Sequence, residues 1–239
     1  MMNSPRIRFA ATLILLLALT WRCVPAQAQS LDPSGFEIQI GGKMWMSVNL
    51  SVGVFSNGDS IPHMTTDEEW MKACKNGQPA WCYYDNDPAD EARYGRLYNW
   101  FAASDPRGLC PSGWHVPSDK EWTDLENAVG GRSVAGGKLK AAGNGIWKAP
   151  NTGATDEVRF AAMPAGFRRA DAKRYFGDAG SYTVWWSSRQ KTLSVLVFTR
   201  AIMHDKAKVI RGMAHQNSGV SVRCIKGAPE PVPDEEDEN

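Results

Sequence analysis

Residues Asp105–Trp122 read DPRGLCPSGWHVPSDKEW, and the organisation of the chain can be read outward from them. Pro117 stops whatever precedes it, and Ser118-Asp119-Lys120-Glu121 forms a capping box. The Ser118 hydroxyl can accept from the third amide of a helix while Glu121 reaches back to the amide of Ser118. Trp122, Leu125 and Val129 then fall on one helical face, and Gly130-Gly131 ends the run. The spacing predicts a helix over Ser118–Val129. A second short helix is expected over Ser133–Ala141, weakened by Gly136-Gly137. Upstream, Phe36–Ile40 and Met44–Leu50 alternate about Gly41-Gly42, the pattern of a β-hairpin. Thr66–Cys74, with acidic residues in its first turn, reads as another short helix. Downstream, Val158–Met163, Val184–Ser188, Leu193–Thr199 and Gly219–Ile225 are β-branched or aromatic runs and are expected as strands. Asp85–Ala92 and Gly143–Glu157 lack periodicity and read as long loops. The class implied is α+β.

The whole chain is 239 residues, 43% hydrophobic and 22% charged, with ten Trp, a mean hydropathy of −0.39 and a formal net charge of +1. This is too apolar and aromatic for a disordered chain and too polar for a membrane bundle. The near-zero charge disfavours a nucleic-acid binder, which needs a basic excess. Residues 1–28 read as a secretory signal. Arg6 and Arg8 precede an uncharged run, Phe9–Trp21, that is too short to span a bilayer, and Ala26-Gln27-Ala28 supplies a cleavage site before Gln29. Acylation at Cys23 is an alternative, disfavoured by Arg22 where a small residue is wanted. Residues 29–34 are a linker and 35–226 one domain. Residues 227–239, GAPEPVPDEEDEN, are an acidic tail with nothing to bury. After cleavage no further transmembrane segment is expected. The protein is therefore read as exported, to periplasm, cell surface or medium.

Cys74, Cys82, Cys110 and Cys224 remain, an even number that suits disulfides in an exported chain. Spacing alone leaves three connectivities open. A metal site is poorly supported, since there is no Cys-x-x-Cys or His-Glu-x-x-His and the His residues are scattered. Asp85, Asp87, Asp90 and Glu91 could offer hard oxygens to calcium, although acidic residues around Pro88 are equally what a turn needs. No cofactor is otherwise expected. No Gly-x-Ser-x-Gly elbow is present, and His115 reads as a satisfied imidazole rather than a general base, so the balance is against an enzyme.

The phrases GGKMWMSVNL, YGRLYNWFAA, DPRGLCPSGWHVPSDKEW, GGKLK, NTGAT, FAAMPAGFR, VWWSS and GVSVRC, in this order, resemble the Fibrobacter succinogenes major paralogous domain, a family of exported bacterial proteins. The resemblance covers nearly all of Phe36–Ile225. It implies a C-type-lectin-like mixed fold, with short helices, antiparallel strands and long loops, in a group that includes formylglycine-generating enzymes. It implies no particular chemistry. The thiol pair used by those enzymes has no counterpart in the late half, which holds only Cys224. The sugar-binding motifs of calcium-dependent lectins are also missing. In such folds an early Cys bonds to one on the last strand, which implies Cys110–Cys224 and leaves Cys74 with Cys82.

The net charge hides an asymmetry. Gln29–Cys110 holds six basic and eleven acidic residues, whereas Arg168–His215 holds ten basic and three acidic. In the resembling group this late region faces ligands. A basic, aromatic surface of Arg168, Arg169, Arg174, Tyr175, Trp186, Arg189, Arg200 and Arg211 is therefore expected, suited to an anionic glycan or an envelope protein. The alternative is that these cations pair with acidic residues or stay solvated. Trp185 and Trp186 are adjacent in a strand and must point to opposite faces. Two functions are carried forward, a non-catalytic binding module and a structural component of the envelope. An unrecognised enzyme is a third.

Overall fold

The computed structural model describes residues 32–170, 175–190 and 194–229. The expected signal, Cys23, Arg174 and the acidic tail beyond residue 229 lie outside these residues, and the side chain of Arg189 is likewise not described. In chain order the elements are β1 (Glu37–Ile40), β2 (Lys43–Met46), α1 (Asp67–Lys75), β3 (Trp81–Cys82), α2 (Glu91–Tyr94), β4 (Leu97–Tyr98), α3 (Trp100–Ala103) and β5 (Trp114–His115). There follow α4 (Asp119–Ala128), α5 (Arg132–Leu139), β6 (Phe167–Arg168), β7 (Phe176–Gly177), β8 (Tyr182–Gln190), β9 (Leu196–Met203), β10 (Ile210–His215) and β11 (Ile225–Lys226). The architecture is α+β. No described helix is long and apolar enough to cross a membrane.

Local chemistry explains the elements that the sequence announces. β1 and β2 pair antiparallel across Gly41 and Gly42, both at positive φ, the conformation a two-residue hairpin turn requires. α1 and α4 each start on a complete capping box, Thr66 with Glu69 and Ser118 with Glu121. α5 follows Gly131 as expected.

Two sheets organise the rest. β1-β2-β11-β5 gathers the beginning and end of the domain, where Lys226 Nζ meets Glu37 Oε1 at 3.0 Å. β8, β9 and β10 form an antiparallel sheet whose two faces carry separate cores. On one face Trp185 and Ile202 pack with Trp45, Trp122, Leu125 and Phe160. On the other, Trp186, Val184 and Val197 pack with Tyr98, Trp100 and Val222. The two adjacent Trp thus point to opposite faces, and both are buried. A third cluster lies under α1 around Trp70.

Two expected strands differ. Val158–Met163 is a loop, because Arg159 and Ala161 adopt left-handed backbone (φ 58° and 50°), which breaks an extended run. Gly219–Ile225 is strand only at its end. The rest threads the centre, bonding in turn to Arg168, Tyr98, Trp186, Leu50 and Met46. Cys110 and Cys224 form the disulfide that the resemblance implied, tying the loop before β5 to this spine. Cys74 and Cys82 are not bridged. Both are buried thiols in the third cluster, where Cys74 Sγ lies 3.5 Å from the Asn217 carbonyl. Burial pushes them up to about 11 and about 12, so they are protonated and unreactive at neutral pH.

Candidate functional site

Among the described residues, those expected to form a basic surface do not converge on one; Arg174 and the Arg189 side chain lie outside them. Arg168 is fully buried and ion-paired with Asp67, its guanidinium packed against the rings of Trp70 and Phe176 (4.9 and 4.7 Å). Arg200 is buried between Asp119 (2.6 Å) and Glu126 (2.7 Å). Arg211 shares Asp119 at 3.0 Å. The charges of Arg168 and Arg200 are spent inside the fold, where a carboxylate offsets the lost hydration, while Arg211 is paired at the surface, 38% exposed. Trp186 is buried too, its indole donating to the Tyr98 carbonyl at 2.9 Å. Tyr175 is half-buried beside Arg168, 5.5 Å from its guanidinium.

Of the calcium candidates, Asp87 and Glu91 are engaged separately. Asp87 Oδ1 accepts from the Ala89 amide, capping a turn, and Glu91 binds Ser51 (2.6 Å) and Arg96 (2.7 Å). Among the described residues no three His, Cys, Asp or Glu side chains are grouped to hold a metal ion.

Arg169 is different. It is more than a third exposed, and its ion pair with Asp178 is loose, at 3.8 Å. It stands at the edge of a cavity of about 450 Å³ on the β8-β9-β10 sheet. Tyr182 and Val184 from β8, Thr199 and Met203 from β9 and Ala214 from β10 line this cavity, with Met213 at its edge. Phe167 closes one side, 5.7 Å from the Tyr182 ring and edge-on to it, with the Arg169 guanidinium 4.9 Å from its own ring. Burial, reinforced by the Asp178 charge, pushes the Tyr182 phenol up to about 12, so it stays a hydrogen-bonding hydroxyl.

Backbone geometry fixes these walls. Gly166, at φ 63°, lets β6 approach β7 so closely that a Cβ there would stand 2.4 Å from the Gly177 carbonyl. Opposite, Lys140 Nζ donates to the carbonyls of Met203, His204 and Lys206 (3.2, 3.3 and 3.2 Å), pinning the end of β9. His204 Nδ1 meets the Ala149 carbonyl at 2.8 Å. Ser181 Oγ is turned to the Asp178 carbonyl (3.1 Å), so Ser181 and His204 are not arranged as nucleophile and base. The cavity offers two ring surfaces, a cation and a carboxylate beside each other, and hydroxyls.

Phe167, Asp178, Tyr182 and His204 escaped the sequence reading. FAAMPAGFR marked Phe167 only as part of a family phrase, and nothing local tied it to β8.

A family model, the Fibrobacter succinogenes major domain, matches residues 38–226. The chain belongs to this family. The match spans the domain from β1 to β11, so the cavity and the Cys110–Cys224 disulfide lie within it. Neither a curated relative nor a solved structure matches the chain.

Proposed function

We propose that this family member is an exported, non-catalytic binding module that takes a glycan in the cavity on β8-β9-β10. What carries the reading is the company the groups keep. Ring faces of Phe167 and Tyr182 suit the apolar side of a sugar, while Arg169, Asp178 and Ser181 suit its hydroxyls. Arg169 would take an acidic substituent by exchanging its loose partner Asp178, which makes an anionic glycan the favoured ligand. Export is supported by the N-terminal run and by the disulfide.

The test is a glycan array followed by calorimetry with acidic and neutral oligosaccharides at two salt levels. Arg169→Gln should weaken acidic ligands about tenfold, the scale of one charge-assisted hydrogen bond. Asp178→Asn should strengthen them, and Phe167→Ala should weaken both classes. Binding unchanged in all three variants overturns the site. A structural envelope component is the second reading, favoured by Met213 and Val195, which are apolar yet nearly half exposed at β9 and β10. It predicts partner capture that persists at high salt and is lost in Met213→Asp.

A further inference from the structure

A second cavity, of about 390 Å³, opens between the segment after β2, helix α2 and the loop before β6. Val48, Ala161, Met163 and the exposed ring of Phe36 make it apolar. Its electrostatics are not those of an ordinary apolar cleft. The lining carboxylate, Glu91, is already satisfied by Ser51, Arg96 and Tyr83 (3.3 Å). The lining cation, Arg93, makes no ion pair among the described residues. Arg93 stands between this cavity and a neighbouring cleft, its guanidinium 5.0 Å from the Tyr94 ring and reaching the carbonyls of Gly145 and Ile146 on the cleft side at 3.4 and 3.3 Å, with Asp90 near enough to feel its charge.

Behind the wall sits Arg223, fully buried. It donates to Asn49 Oδ1 at 2.9 and 3.3 Å, to the Met46 carbonyl at 3.2 Å and to the Phe160 carbonyl. All are neutral oxygens. Asn49 itself lines the cavity, as does Ala161, the residue after Phe160. Burial pushes Arg223 down to about 9, against a partial opposing pull from Asp156, which agrees with a cation short of a counter-ion. A buried charge screened by little water projects its field into the nearest opening.

We propose that this cavity binds a small apolar monocarboxylate, its hydrocarbon against Val48, Ala161 and Met163 and its carboxylate, in the field of Arg223, drawing the Arg93 guanidinium from its long bonds to the Gly145 and Ile146 carbonyls. The site is separate from the β8-β9-β10 cavity and stands without it.

Titration calorimetry of the full chain with sodium octanoate, 1-octanol and octyltrimethylammonium tests the idea. Octanoate should bind saturably and more weakly as salt rises. The alcohol should bind about tenfold less tightly and the ammonium not at all. Arg93→Gln, an exposed change that leaves folding intact, should lower octanoate affinity about tenfold. Met163→Trp should fill the cavity and abolish binding, while Arg169→Gln should change nothing. No saturable octanoate binding, equal affinity for the three probes, or full affinity in Arg93→Gln or Met163→Trp overturns the proposal.

Discussion

Glu121 shows how much one residue can carry. It closes the capping box of α4 by accepting from the Ser118 amide at 2.9 Å, and it meets His115 Nε2 at 3.0 Å and Lys43 Nζ at 3.2 Å. Burial would raise its carboxyl, but the hydrogen bonds and charge of His115, Ser118 and Lys43 outweigh that and hold it at about 2. For His115 burial works against protonation, yet the bond and charge of Glu121 prevail and the imidazole is held above its ordinary value of 6.5. A lowered carboxyl contributes stability above its unfolded value, 4.5, that is lost as pH falls towards 2. A raised imidazole contributes fully below 6.5 and loses its share as pH rises through the elevated value. The melting temperature of the native chain minus that of Glu121→Gln should therefore be largest between pH 4.5 and 6.5 and shrink on either side. A flat difference would dismiss the pair. The cap was legible, since Ser and Glu stand three apart. Of the histidine, only that it would be satisfied was legible, because its partner lies across a turn from β5.

Among the elements, β11 is two residues long and is held more by what crosses it than by its own ladder. Ile225 pairs with both Trp45 and His115, and the adjacent Cys224 is bonded to Cys110, 114 positions away. Closing so long a loop removes much of the freedom of the unfolded chain. Cys110→Ser with Cys224→Ser should cost about 2–5 kcal/mol in urea denaturation. An unchanged midpoint would mean the spine is held by packing alone. The same level shows where periodicity misleads. Val158–Met163 has strand composition, but backbone sign at Arg159 and Ala161 is invisible in a hydropathy pattern. β10, interrupted by Gly212, has too weak an alternation to be noticed and becomes a strand because β9 offers it a partner.

At the scale of the whole molecule, the acidic and basic parts of the chain partly neutralise each other inside it. Arg168 reaches back to Asp67 on α1, and Arg200 joins β9 to Asp119 and Glu126 on α4. These contacts clamp the helical and sheet layers together. Arg200→Met would strand Glu126 in a dry site and leave Asp119 to Arg211 alone, and should cost about 3–5 kcal/mol. Adding Asp119→Asn and Glu126→Gln should recover part of that loss, as chemical denaturation of the three proteins would show. If the single variant is neutral, the clamp is ornamental.

By itself the sequence determined the capped helices, the first hairpin, the alternation that sends Trp185 and Trp186 to opposite faces, and the family phrases spanning the domain. These depend on neighbours within a turn or two, or on a pattern of residues that needs no coordinates. Tertiary structure alone decided which cations remain available. Burial and pairing are properties of space: Arg168 and Arg169 are adjacent in sequence, yet one is sealed against Trp70 and Asp67 while the other stands open at the cavity edge. A count of charges cannot separate them, because the partner that neutralises Arg168 lies 101 residues away.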